Sequence, residues 1–157
     1  MFEAYYKSPI GNLRIISNER DIIKIDFVKG FYKKDIIPLQ IQNCINQLDE
    51  YFNGKRKKFT VSINPIGTEF QGKIWYQLTK IPYGKTISYL QQAREFGDEK
   101  AIRAIASANS QNPIPIIIPC HRVIGNNGKL TGYSGGLLKK QWLLEHELAI
   151  PQLSLFH

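Results

Sequence analysis

Cysteine is scarce in this chain, with only Cys44 and Cys120 among 157 residues. One bridge is the most they could form, and two free thiols in a reducing cytosol is the simpler reading. Neither belongs to a CxxC pair and there are only three histidines, so a zinc site is not expected. No run of ~18 apolar residues exists, which excludes a membrane-spanning helix. The start, Met1-Phe2-Glu3-Ala4-Tyr5-Tyr6-Lys7, lacks a basic segment followed by an apolar run and is not read as a signal peptide. The expected location is therefore the cytoplasm, or the nucleus in a eukaryotic cell. Repeats and low-complexity tracts are missing too. Acidic residues are the minority, 13 against 21 Lys and Arg, which leaves a net charge of +8. That balance points to an acidic partner, nucleic acid first. Charge does not say which half binds, since residues 1–64 and 65–157 each carry +4.

What is present is enough for a folded protein. Hydrophobic residues make up 43% of the chain and aromatic ones 11%, too apolar for disorder, and the length can bury a real core in one domain or two small ones. The first 30 residues read as a β meander. Phe2 to Lys7, Leu13 to Ser17 and Ile22 to Val28 are the strands, with turns at Ser8-Pro9-Ile10-Gly11-Asn12 and Asn18 to Asp21. After Pro38, Ile41, Cys44, Ile45, Leu48, Tyr51 and Phe52 recur at helical spacing, and Gly54 stops the helix. Cys44 falls on its apolar face and reads as a structural thiol. The basic run Gly54-Lys55-Arg56-Lys57-Lys58 reads as a solvated loop. Asn64-Pro65-Ile66-Gly67 has linker chemistry, which divides the chain into an N-terminal domain, 1–64, and a C-terminal domain, 65–157.

The second part is mainly helical. Thr68 and Gln71 form a capping box ahead of the stripe Phe70, Ile74, Trp75 and Leu78, and Ile81-Pro82-Tyr83-Gly84 ends that helix. Ser88 and Gln91 form a second capping box opening a helix that Gly97 closes. Asp98 caps another, Glu99 to about Ser110. Two helices over 88–96 and 99–110 with a Gly-Asp turn have the proportions of a helix-turn-helix. The second carries Ala101, Ala104, Ala106, Ser107 and Ala108, so it is slimmer than the usual ~10–12 Å and suits approach to a minor groove of ~6 Å. The same small residues would equally allow close packing of two protein helices. Ile114 to Ile118 reads as a buried strand and Ser134 to about Leu148 as the last helix.

Pro119-Cys120-His121-Arg122-Val123 follows that expected strand directly, a position from which nucleophiles are often presented. A free thiol is only a few per cent thiolate at neutral pH. An imidazole can take its proton and a carboxylate can hold the imidazole. His121 is the obvious base, either across a turn or through a water, and Glu147 or Glu145 is the carboxylate.

Residues 68 to 148, about half of the chain, closely resemble the O6-alkylguanine-DNA alkyltransferase family. The matching segments are Ile81-Pro82-Tyr83-Gly84-Lys85-Thr86-Ile87-Ser88-Tyr89, Asn112-Pro113, Ile116-Ile117-Ile118-Pro119-Cys120-His121-Arg122-Val123, Gly132-Tyr133-Ser134-Gly135-Gly136, and Trp142-Leu143-Leu144 to Glu147. The N-terminal 64 residues match only in outline. The resemblance implies an α+β protein: a small N-terminal β-sheet domain with a helix, ribonuclease H-like in outline, and a mainly helical domain containing the helix-turn-helix. It implies DNA repair by a single, irreversible transfer of an alkyl group from guanine O6 to Cys120, after minor-groove binding and base flipping. By the same resemblance His121 would be the base, acting through a water, Glu147 would orient it and Asn112 would brace the site. Tyr89 would contact the guanine and crowd the phosphate. Arg103 would fill the gap left by the flipped base, with Ala104, Ser107 and Arg122 also facing DNA. Tyr133 and Ser134 would line the base pocket. No cofactor and no metal are implied, since Cys44 is the only cysteine and no histidine is present in the N-terminal domain, where some members bind zinc. The expected partner is duplex DNA carrying O6-alkylguanine, with no membrane, bound by a monomer whose cooperativity on DNA stays open. A sensor that flips alkylated bases without repairing them, and a cysteine hydrolase using Cys120 and His121, are the alternatives.

Overall fold

The computed structural model describes residues 1–149. They fall into two compact units, Met1–Ile66 and a second beginning at Gly67. The first is built on an antiparallel meander, β1 (Phe2–Ser8), β2 (Gly11–Ser17) and β3 (Ile22–Val28), in that spatial order. The first turn closes where the Ser8 hydroxyl donates to the Gly11 carbonyl at 2.6 Å and accepts from the Ile10 N–H at 3.2 Å. In the second, the Asn18 side chain accepts from the N–H groups of Arg20 and Asp21. Alternation along the strands puts Ala4, Ile15 and Ile25 in register on one face, all buried. Helix α1 (Leu39–Phe52) lays Ile41, Cys44, Leu48, Tyr51 and Phe52 into the core. Each such side chain contributes about 1.5–3 kcal/mol on burial.

The second unit opens with α2 (Glu69–Leu78). Its N-terminus carries a complete capping box, Thr68 accepting from the Gln71 N–H and Gln71 accepting from that of Thr68. Trp75 lies in the core and donates its indole N–H to the Ala108 carbonyl at 2.8 Å. A short strand, β4 (Ile87–Ser88), leads into α3 (Tyr89–Phe96), which Gly97 ends at φ 101°, a left-handed conformation that glycine adopts without steric penalty. Asp98 then caps a 3₁₀ turn, Glu99–Ala101, that runs into α4 (Ile102–Ser110). Between α3 and α4, Ile74, Ala93, Ile105 and Ala108 form an apolar cluster. Beside it Gln92 and Asn109, both buried, exchange two amide hydrogen bonds of 2.9 and 2.7 Å. A reciprocal amide pair satisfies both side chains and fixes the angle between the helices. Strand β4 pairs in parallel with β5 (Val123–Ile124), which sets the start of α3 beside the segment after Cys120. Helix α5 (Leu137–His146) completes the described chain. No helix among the described residues is long and apolar enough to cross a membrane.

Three sequence expectations need correction. Ile114 to Ile118 is buried but is no strand. Pro113, Pro115 and Pro119 cannot donate to a ladder, and the segment folds into a turn instead. The final helix begins at Leu137 rather than Ser134, because Gly136 stands at φ 101°, and it ends at His146, with Glu147 as its C-cap. The second capping box is only half formed. Ser88 accepts from the Gln91 N–H, but the Gln91 amide reaches forward to Glu95.

Candidate active site

The turn before Cys120 is organised by one side chain. Asn112 accepts from the Ile114 N–H at 2.9 Å and donates to the Ile118 carbonyl at 2.8 Å. The Ile118 N–H returns to Ile114 O, and the Cys120 N–H donates to Ile118 O. The turn closes with Ile116 at φ 76°, a conformation costly for a β-branched residue and held here by burial. Cys120 then starts a 3₁₀ turn, Cys120–Arg122. It is 8% exposed, and it lines a cavity of about 730 Å³ together with Tyr89, Arg103, Ser107, Thr131 and Tyr133. Burial pushes the Cys120 thiol up, against the lowering effect of a hydrogen bond from Asn112 and of the nearby Lys140 charge.

Behind the thiol lies a buried charged network. His121 Nε2 is 2.8 Å from Glu147 Oε2, and both side chains are fully buried. Glu147 also accepts from Arg122, Nε to Oε1 at 2.8 Å and Nη2 to Oε2 at 3.0 Å, and Arg122 Nη1 donates to the Ile81 carbonyl at 2.7 Å. Burial works against the Glu147 carboxylate, yet its hydrogen bonds and charge contacts with His121 and Arg122 outweigh it and hold the group well below the usual carboxylate range. Burial lowers His121 despite Glu147, so the imidazole is neutral near pH 7. With an ionised carboxylate at Nε2, that nitrogen carries the hydrogen and donates, and Nδ1 keeps the lone pair. Nδ1 is buried and makes no hydrogen bond to a described residue.

The sequence reading missed Lys140. Its side chain is fully buried on α5, and its ammonium donates to Val123 O and Thr131 O at 2.7 Å each and to Gly132 O at 3.4 Å. Tyr89 donates its hydroxyl to the same Thr131 carbonyl at 3.1 Å. Lys140 therefore ties α5 to β5 and to the cavity wall. Burial lowers it to about 8, and the Cys120 charge acts in the opposite direction. Its signal in the sequence was only a lysine among the apolar residues of a helix, in a pair with Lys139.

The other expected site residues divide. Arg103, Ala104 and Ser107 are exposed on α4, and Arg103 and Ser107 also border the cavity. The small residues of that helix do not share one face: Ala106 lines the cavity and Ala108 is buried in the core. Tyr133 is buried against the cavity, and burial raises its hydroxyl well above the ordinary tyrosine value. Two expectations are corrected. Arg122 is 6% exposed and spends its guanidinium on Glu147 and Ile81, so it is an internal partner of the carboxylate rather than an exposed side chain. Ser134 is exposed and is not among the residues lining the cavity; it lies in a turn closed by the Gly136 N–H donating to Tyr133 O. Of the two carboxylates considered, Glu147 meets the imidazole, while Glu145 accepts from Gln141. Cys44 is buried in the other unit, where desolvation raises it to about 12. Among the described residues, no three His, Cys, Asp or Glu side chains gather as metal ligands.

Comparison with known proteins agrees along almost the whole chain. Residues 69–149 match the family described as 6-O-methylguanine DNA methyltransferase, DNA binding domain, and residues 1–65 match its ribonuclease-like domain. A methylated-DNA–protein-cysteine methyltransferase of Methanosarcina acetivorans is 44% identical, over 94% of this chain and 98% of that protein. The crystal structure of Mycobacterium tuberculosis O6-methylguanine methyltransferase superposes with a TM-score of 0.82 at 39% identity, covering 99% of this chain and 100% of the other. The Mycobacterium tuberculosis OGT in complex with DNA gives 0.83 at 39% identity, covering 93% of each chain.

Proposed function

The chain belongs to the 6-O-methylguanine DNA methyltransferase family, and we propose that it repairs DNA by moving an alkyl group from guanine O6 to Cys120. The observation that carries this reading is the shared cavity, whose lining includes the Cys120 side chain and the exposed-helix residues Arg103 and Ser107. A base inside a duplex is out of reach, so the guanine must leave the stack at a cost of a few kcal/mol. Arg103, exposed at the rim, fills the gap left behind. Tyr89 and Tyr133, which line the cavity, hold the everted base. Asn112 braces the turn that presents the sulfur. A chain acting on DNA in this way works in the cytoplasm, or in the nucleus of a eukaryote.

The chemistry is displacement at a saturated carbon, for which a soft, strongly nucleophilic sulfur is suited. His121 takes the thiol proton through a water at Nδ1, and Glu147 stabilises the imidazolium that forms. The sulfur attacks the alkyl carbon as the carbon–O6 bond breaks, and the bonding pair passes to the guanine. The developing charge on the base is offset by a hydrogen-bond donor such as the Tyr89 hydroxyl, and the proton first taken by His121 passes back through water to the guanine. The balance closes on a neutral guanine and a thioether. A thioether has no easy leaving group, so each molecule acts once.

The direct test is incubation with a duplex containing O6-methylguanine. The peptide containing Cys120 should gain one methyl mass in a single stoichiometric step, and Cys120→Ala should bind the duplex without accepting the group. A methyl group on another residue, or continued turnover, contradicts this reading.

A further inference from the structure

The sheet of the first unit has a second face that α1 does not cover. Cross-strand register places Tyr5, Arg14 and Asp26 side by side on it, with Lys7 beside Asn12 and Glu3 beside Ile16 and Lys24. The segment after β3, Lys29-Gly30-Phe31-Tyr32-Lys33-Lys34, runs onto this face. Phe31 and Tyr32 meet the Tyr5 ring edge-on, at centroid distances of 6.2 and 5.4 Å. The Lys7 ammonium stands 4.6 Å from the Phe31 ring centre, and the Lys34 ammonium 6.0 Å from that of Tyr5. A Cβ at residue 30 would come within 2.9 Å of the Tyr32 ring, so glycine there lets the ring fold back over the chain.

Held in this way, the rings are still open to solvent. Phe31 is 39% exposed and Tyr32 63%. The charge of this face and of the segment after it is biased: Lys7, Arg14, Lys24, Lys29, Lys33 and Lys34 against Glu3, Asp26 and Asp35. Arg14 and Lys24 share Asp26, and Lys34 lies 3.9 Å from Glu3. Lys7, Lys29 and Lys33 have no ion pair among the described residues. Fixed, solvent-facing rings among uncompensated lysines fit a polyanion that also offers flat apolar surfaces. Single-stranded nucleic acid has both features, with phosphates for the ammonium groups and unpaired bases to stack on the rings.

We propose that this face, with the Lys29–Lys34 segment, is a docking surface for single-stranded DNA, separate from the cavity that holds Cys120. Bases stack on Phe31 and Tyr32, and Lys7, Lys29 and Lys33 meet phosphates. The inference does not depend on alkyl transfer, and reaction of each variant with free O6-benzylguanine reports on that chemistry separately.

The test uses the full chain and a fluorescent oligothymidylate. Phe31→Ala combined with Tyr32→Ala should weaken binding by about tenfold or more, and Gly30→Ala, which displaces the Tyr32 ring, should weaken it in the same direction. Replacing Lys7, Lys29 and Lys33 by Gln should flatten the dependence of log affinity on log salt by about 2, since each single-strand phosphate contact contributes about 0.7. All these variants should still react with free O6-benzylguanine at the unmodified rate. Photo-cross-linking a bromouracil oligonucleotide to the unmodified protein should label the peptide containing Phe31 and Tyr32, which keeps the test open if a variant fails to fold. Unchanged affinity and salt slope, labelling confined to α4, or a loss of self-association in place of DNA binding would each overturn the proposal.

Discussion

Glu147 stands 2.8 Å from the imidazole of His121 and takes two further hydrogen bonds from Arg122, with the carboxylate and imidazole sealed from solvent. One carboxylate thus holds an imidazole on one side and neutralises a buried guanidinium on the other. The two duties predict different consequences when it is changed.

Glu147→Gln keeps the shape but removes the charge. Arg122 then lies buried without its counter-charge, at a cost of about 3–5 kcal/mol. His121 loses the carboxylate that supports its protonated form, so reaction with free O6-benzylguanine should slow at least tenfold, on the order of the contribution of an assisted proton transfer. Urea unfolding reads the first effect and the rate of methyl or benzyl uptake the second. A variant as stable as the parent would show that Arg122 has another partner.

Stability should fall on acidification from pH 7 toward pH 5. His121 is lowered by burial in the folded chain, while the unfolded chain has the ordinary value of about 6.5. Below that value the unfolded state binds a proton that the folded state refuses, so unfolding becomes easier as pH falls. Glu147 moves in the same direction but in a lower window. Its carboxyl is held down in the fold, so its stabilising contribution is intact above the unfolded value of about 4.3 and is lost as pH falls toward the depressed folded value. Urea midpoints between pH 7 and 5 check the sign. A His121→Gln variant should lose the dependence between pH 7 and 5 and keep the one at lower pH.

Lys140→Met should damage both the wall and the thiol. Three carbonyls, of Val123, Thr131 and Gly132, lose the ammonium that holds them; Thr131 O keeps the Tyr89 hydroxyl, so the main cost is about 1–3 kcal/mol for the buried Val123 carbonyl left unsatisfied. The cation that favours the Cys120 thiolate disappears as well, so the pH at which the thiol becomes reactive should rise. Rates of modification by a small alkylating reagent across pH read this shift. Cys44, raised to about 12 by burial, serves as an unreactive reference within the same chain. An unchanged profile in a folded variant would leave Lys140 a purely structural clamp.

Arg103→Ala should separate DNA handling from chemistry. The side chain is exposed at the cavity rim and makes no contact with the His121–Glu147–Arg122 network. If it fills the space of an everted base, repair in duplex should drop about tenfold or more, while reaction with free O6-benzylguanine stays near the parent rate. Equal losses in both assays would refute the role.

Much of the site was readable because its signals are local. Thr68 and Gln71 announce a helix start, Gly97-Asp98 a turn, and Pro119-Cys120-His121 a thiol presented beside an imidazole, since caps, turns and neighbours depend on a few adjacent residues. The apolar spacing of α1 and of the strands is similarly direct, because burial selects one face. The inward packing of Arg122 was not legible, since arginine is usually exposed and nothing beside it in the chain shows that Glu147 and the Ile81 carbonyl converge on it. Ile114 to Ile118 was misassigned because an apolar run reports burial without saying which backbone conformation is buried. The three prolines were the available counter-signal.

The amino-acid order by itself determined most of the element types and the family. These rest on short-range backbone chemistry and on motif segments whose spacing survives without coordinates. Only the tertiary structure decided which charges pair in the interior: that Glu147 rather than Glu145 meets His121, that Arg122 faces inward, and that Lys140 fastens the cavity wall. Those pairings join residues far apart in the chain, and a buried charge is tolerated only where the packed fold brings its partner within hydrogen-bond distance.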